Sequence, residues 1–167
     1  MKTILIYSQW FDPEPTLKGL IFARKLKSYG FQVNVVTGFP NYPGGKIYPG
    51  YKVSFFKKEV IEGISITRLP LYPSHNKNKF GRFLNYVSFS LSSLLYLLFF
   101  LKRADVIYAY HPPLTIGLIA SIIKIIRRIP VVYDIQDIWP DSLQATGMFS
   151  NQLGLNIINY LCNWVYK

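Results

Sequence analysis

The sequence predicts a doubly wound, parallel α/β sheet. Short apolar runs recur at Thr3–Ser8, Phe31–Thr37, Asp105–Tyr110 and Val131–Ile135, with helical segments between them. Near the N-terminus the order is strand, helix, Gly30, strand, a βαβ unit whose crossover requires parallel strands. The 167 residues, 50% apolar and 17% aromatic, suffice for one domain whose core needs no disulfide or metal staple.

Each element has its own signal. Thr3–Ser8 stops in a loop marked by Asp12-Pro13-Glu14-Pro15. Thr16 is placed to cap a helix to Tyr29, with Leu17, Leu20, Ile21 and Leu26 on one face and Gly30 as terminator. Phe31–Thr37 is the second strand, and Gly38–Tyr51, rich in Pro, Gly and Tyr, is a loop. Val53–Ile61 and Ile64–Leu69 read as a hairpin about Glu62-Gly63. A long helical segment leads to the strand Asp105–Tyr110, ended by Pro112-Pro113. Leu114–Arg128 is a helix, Val131–Ile135 a strand, Asp137–Gly147 a loop with a short helix, and Asn151–Tyr166 the last helix.

Composition excludes several classes. The aromatic and apolar fractions exclude disorder. Cys162 is the sole cysteine, so a disulfide scaffold is excluded and a reducing, cytosolic setting is expected. The apolar run after Lys2 is short and lacks a small-residue cleavage site, so no secretory leader is expected. Nineteen basic against eight acidic side chains give a net charge of +11. That balance suits an anionic partner: a phosphorylated substrate, anionic lipid or nucleic acid. Nucleic acid ranks last, because no zinc spacing, RNP-like strand or basic heptad region is present.

In an open α/β sheet, ligands bind beyond the carboxyl ends of the strands. Asp12, Glu14, Asn41, His111, Asp134, Asp137 and Asp141 all fall there, including five of the eight carboxylates. Asp12 can orient a sugar hydroxyl or take its proton, whereas Glu14 reads as favouring the helix N-terminus electrostatically. Free N–H groups after Thr16 can receive a diphosphate, with Gly19 permitting close approach, although neither GxGxxG nor GxxxxGK[ST] is present. His111, before Pro112-Pro113, should face the cleft. It has no second His or Cys at ligand spacing, so no metal site is expected.

Phe83–Leu101 carries no charge and is bracketed by Arg82 and Lys102-Arg103. It meets the length of a membrane span. Asn85, Ser88 and Ser92 nevertheless form a polar stripe at helical spacing, and a span would split the sheet across the bilayer. The better reading is a sheet-covering helix with a greasy outer face, docking on an anionic membrane through its flanking bases; an entirely buried helix is the competing reading.

Six segments together carry a resemblance: QWFDPEP (Gln9–Pro15), TGFPNYPGGKIYPGY (Thr37–Tyr51), RLPLYPSH (Arg68–His75), FLNYVSFSLS (Phe83–Ser92), HPPLTIGL (His111–Leu118) and DIQDIWPDSLQATG (Asp134–Gly147). The chain resembles the N-terminal, Rossmann-like domain of family-4 glycosyltransferases of GT-B architecture. The branch it is most similar to includes N-acetyl-L-fucosamine transferases of O-antigen, capsule and colanic acid assembly. The resemblance implies retaining transfer of a sugar from a nucleotide-sugar donor to a lipid-linked, polyprenyl diphosphate acceptor. This would occur on the inner face of the cell membrane, with no metal or other cofactor. Residues 1–167 would form the acceptor-binding half. The donor-binding half, with its paired-glutamate motif, would lie outside this chain or on a separate one, leaving the isolated half inactive. By position His111, Asp137 and Asp12 would face the reaction centre, Thr16 and Gly19 would edge the donor diphosphate, and Asn41, Tyr42 and Trp139 would line the acceptor path. Many relatives carry Gly-Gly where Thr16–Gly19 stands, and close relatives often have a small polar residue at His111. The alternative function is a non-enzymatic, membrane-docking subunit that recruits a separate catalytic chain.

Overall fold

A computed structural model describes residues 1–74, 79–110, 113–136, 138–139 and 152–166. Its chain order is β1 (Thr3–Ser8), α1 (Leu20–Ser28), β2 (Gln32–Gly38), β3 (Lys57–Ile61), β4 (Ile64–Leu69), α2 (Lys79–Phe99), β5 (Val106–Tyr110), α3 (Leu114–Arg127), β6 (Val131–Asp134) and α4 (Gln152–Val165). The six strands form one sheet in the order β3-β4-β2-β1-β5-β6. Every neighbouring pair is parallel except the β3–β4 hairpin at the edge. The doubly wound α/β expectation therefore holds, with one antiparallel edge strand added.

Position in the sheet follows from side-chain chemistry. β1 is buried at every residue and sits between β2 and β5, as an uninterrupted apolar run should. Alternate residues serve opposite faces. Ile6, Val33, Val35, Ile64 and Ile66 pack with Ala23 of α1, while Leu5, Tyr7, Val36, Ile107 and Ala109 pack under α2 and α3. α4 lies against α3 through Cys162 and Val165 on one side and Leu114 on the other. The edge strand β3 carries Lys57 and Lys58, charges that discourage pairing with another chain.

α2 explains its own polar stripe. Phe89, Tyr96 and Leu97 are buried against the sheet, and Ser93 Oγ lies 2.6 Å from the buried Tyr7 hydroxyl. Asn85, Ser88 and Ser92 serve the main chain leaving β4. Asn85 Nδ2 donates to Tyr72 O (2.7 Å), the Tyr72 N–H donates to Ser88 Oγ (2.8 Å), and Ser92 Oγ donates to Pro70 O (2.7 Å). A segment departing from a sheet has lost its ladder partners, and these side chains replace them. Phe80–Phe99 is long and apolar enough to cross a membrane by length and composition, but the helix covers the sheet. Its outer face exposes Phe80, Phe83, Leu91, Leu95 and Phe99, so it is not entirely buried.

α1 starts at Leu20 rather than Thr16, because residues 16–19 form turns and the helix receives its first cap from elsewhere in the chain. The β3–β4 connection is a two-residue turn with positive φ at Glu62 (52°) and Gly63 (72°), the twist-compatible geometry for a tight hairpin. It docks on α1: Arg24 pairs with Glu62 at 3.4 Å, and Lys27 Nζ donates to Glu62 O at 2.9 Å. A side chain on Gly63 would meet the Lys27 ammonium as well as the left-handed backbone penalty. Gly63→Val should therefore lower stability by about 1–2 kcal/mol, read as a lower urea midpoint at unchanged m-value.

Candidate functional site

The order of the strands reverses between β1 and β5, whose ends stand side by side at Ser8 and Tyr110. That point is where an α/β sheet leaves a crevice. A cleft of about 510 Å³ opens there, lined by Trp10, Pro15, Thr16 and Leu17 from the β1–α1 loop, Tyr42 from the loop after β2, and Tyr110 at the end of β5. Trp10 and Tyr42 pack with ring centroids 4.7 Å apart and planes tilted by 30°, and Tyr86 of α2 meets Trp10 edge-on at 6.5 Å. Thr16 Oγ1 is buried and has no hydrogen-bond partner among the described residues. A wall of aromatic faces beside one buried, unpartnered hydroxyl suits the alternating C–H and O–H surface of a sugar.

Two buried charges hold the loops that build this wall. Glu14 is 3% exposed. Its carboxylate accepts the N–H groups of Asn41 and Tyr42, each at 2.7 Å, and of Phe11 at 3.2 Å. The residue read from sequence as a helix-terminus charge is in fact the clamp between the first and second loops. Burial pushes its pKa up to about 7, against the lowering effect of those N–H donors and of Arg68. Arg68 of β4 is 0% exposed. Its guanidinium donates to Glu59 Oε1 (2.6 Å) and to the carbonyls of Asp12 (2.5 Å) and Gly38 (3.5 Å), and packs over the Tyr51 ring at 4.8 Å.

An amide chain continues the support. Gln9 Nε2 donates to Asn85 Oδ1 (2.5 Å), Asn85 Nδ2 to Asn41 Oδ1 (3.2 Å), and Asn41 Nδ2 to Phe39 O (3.0 Å). On the other flank Asp134 accepts the Tyr108 hydroxyl and lies 3.8 Å from Lys18 Nζ, tying β6 to the turn before α1. Burial first, then Asp134, raises the Tyr108 pKa.

Of the residues selected from sequence, Thr16 and Tyr42 line the cleft together. Asp12 accepts the Leu20 N–H at 2.5 Å, so its carboxylate caps α1. Gly19 is small because the Asp12 carboxylate and the Thr16 methyl occupy the space of a β-carbon. Asn41 is buried in the amide chain. Trp139 packs with Leu114, Cys162 and Val165 between α3 and α4 rather than on the cleft. His111 and Asp137 lie outside the described residues. Among the described residues no group of three His, Cys, Asp or Glu side chains is arranged to hold a metal ion.

The sequence profile of the Glycosyl transferase 4-like domain matches residues 21–162. The chain belongs to this family. A search of curated proteins finds no match. Membership supports a role in glycosyl transfer, and the mostly parallel, six-stranded sheet agrees with a Rossmann-like glycosyltransferase domain. The matched span begins inside α1, and four of the cleft residues, Trp10, Pro15, Thr16 and Leu17, precede it.

The Glu14 clamp has a pH signature. In the folded domain this carboxyl keeps its proton to about pH 7, whereas at its ordinary value it loses it near 4.5. Between those values the native state binds more protons, so this group's contribution to stability falls as pH rises. Unfolding midpoints measured from pH 4 to pH 8 should show wild type losing up to about 3 kcal/mol relative to Glu14→Gln across that window.

Proposed function

We propose that this domain is the acceptor-binding half of a retaining glycosyltransferase. It moves a sugar from a nucleotide-sugar donor to a lipid-linked saccharide acceptor in the assembly of a surface polysaccharide. The observation that carries this reading is the Trp10–Tyr42 ring pair in a cleft at the sheet's switch point, beside the unpartnered Thr16 hydroxyl. The saccharide rings of the acceptor lie against Trp10 and Tyr42. The donor diphosphate approaches from the Thr16–Gly19 side, where Lys18, 3.8 Å from Asp134, stands close by. Asp12, His111 and Asp137 border the reaction centre, the first of them through the loop that its carboxylate closes onto α1. No resident metal or cofactor enters this reading: helix N-termini and basic groups stabilise the departing diphosphate. A second segment or chain supplies the nucleotide-sugar site.

The polyprenyl diphosphate acceptor reaches the cleft from the inner face of the cell membrane. The exposed stripe Phe80, Phe83, Leu91, Leu95 and Phe99 runs the length of α2, about 31 Å, and supports peripheral docking along that helix. Tyr86 on the same helix contacts Trp10, so a membrane lying along α2 brings its surface to the cleft.

A short-chain polyprenyl diphosphate saccharide titrated into the chain tests the reading. Trp10→Ala and Tyr42→Ala should each weaken binding about tenfold, a change of ~1.4 kcal/mol. Wild-type affinity in both variants contradicts it, as does equal affinity for the same polyprenyl diphosphate without sugar.

A further inference from the structure

α2 touches the cleft through Asn85 and Tyr86, and its other end builds something different. There Phe56, from the segment before β3, lies 6.1 Å from both Tyr96 and Phe100, which stack on each other at 6.0 Å; Phe55 flanks Phe56 at 5.7 Å. These rings, with Leu69, Pro70 and Leu95, line a narrow apolar slot of about 90 Å³. Sharing Tyr96 and Phe100 with it is a larger recess of about 270 Å³. The main floor of that recess is β1, β2 and β4, including Ser65 and Thr67, and its rim carries Lys58, Lys102 and Arg103.

The pairing is chemically specific. Thr67 Oγ1 and Tyr96 OH, 3.3 Å apart, place hydroxyls at the junction of slot and recess. Lys58 Nζ stands 5.8 Å over the Phe56 ring, holding a cation at the mouth of the apolar slot. Among the described residues no Asp or Glu lines either space; Asp105, 3.5 Å from Arg103, also accepts the Thr3 N–H. Three cations beside an aromatic slot fit an amphiphile with a compact anionic head and a hydrocarbon tail. The slot also continues onto exposed Leu95, Phe99 and Phe100 of α2. That continuity favours a lipid still anchored in a bilayer over an acidic peptide.

We infer that this paired recess seats an anionic phospholipid of the membrane, its phosphate among Lys58, Lys102 and Arg103 and the start of one acyl chain between Phe55, Phe56 and Phe100. The inference rests on the membrane-docking reading of α2 and gives it a head-group site at the end away from the cleft. The site selects the sign of the lipid charge and fixes which way α2 lies on the surface.

Flotation with phosphatidylglycerol and phosphatidylcholine vesicles, combined with amide shifts on adding dihexanoylphosphatidylglycerol or inorganic phosphate, tests it. Phosphatidylglycerol vesicles should bind and phosphatidylcholine vesicles should not. The short-chain anionic lipid should shift the Ser65, Thr67 and Lys102 amides saturably, and phosphate alone should shift them at least about tenfold more weakly. Lys58→Glu with Lys102→Glu should weaken vesicle binding by roughly ten- to thirty-fold, whereas Lys25→Glu with Lys46→Glu, an equal charge change at exposed sites elsewhere, should cost less than about threefold. Ser65→Trp, which fills the recess and keeps every charge, should abolish the saturable shift. Equal losses from the two charge reversals, or an acidic peptide binding as tightly as the lipid, would overturn the head-group site. Vesicle binding without shifts at these amides overturns the recess and leaves docking standing; no vesicle binding at all overturns both.

Discussion

A guanidinium buried without hydrogen bonds would be untenable, and the residues that satisfy Arg68 define the ligand edge of this domain. Removing such a charge from water costs several kcal/mol unless its donors are met. Arg68 meets them with the Glu59 carboxylate from β3 and with carbonyls from Asp12 and Gly38, each in a different segment. The edge hairpin, the first loop and the end of β2 are therefore joined at one side chain. Glu14 works in the opposite sense, a buried acceptor for N–H groups of Phe11, Asn41 and Tyr42. One cation gathers carbonyls and one carboxylate gathers amides, so loops with few apolar contacts of their own are held to the sheet.

The cleft is a consequence of that arrangement. Trp10 can pack on Tyr42 only while the first and second loops keep their spacing, which Glu14 sets through Tyr42's own N–H. Asn85 extends the constraint to α2 through Gln9, Asn41 and Tyr72. One helix thus supports the cleft at one end, covers the sheet in its middle and lines an aromatic, cation-rimmed recess at the other. Its outer stripe, Phe80, Phe83, Leu91, Leu95 and Phe99, stays exposed along the same helix.

Much of this was legible from local pattern. Apolar runs located the strands, and Gly30 and Gly63 marked a helix end and a hairpin turn. The polar stripe Asn85–Ser88–Ser92 marked the face of α2 that bonds the main chain leaving β4, because a helix's faces are written at fixed spacing. Thr16, chosen for its place before the first helix, and Tyr42, chosen from the family resemblance, both line the cleft. What escaped depends on long-range partners. Asp12 caps a helix that starts eight residues later, so local capping rules put the helix start at Thr16. Glu14 bonds to residues 27 and 28 positions away, and its burial has no local mark. Arg68 did leave a signal, a lone charge inside the apolar strand ISITRL, and such a charge in a buried strand needs a partner set. Trp139, placed on the acceptor path by the resemblance, joins the packing of α3 on α4, a choice made by tertiary contacts.

Hydrogen exchange on Arg68→Met asks most directly whether these buried charges hold the ligand edge. The Phe11, Leu20, Asn41 and Tyr42 amides, protected by the Glu14 and Asp12 carboxylates, should exchange at least about 100-fold faster than in wild type. The Ile4–Tyr7 amides of central β1 should change far less. Unchanged protection in the loop amides, or an equal acceleration in β1, would contradict the account.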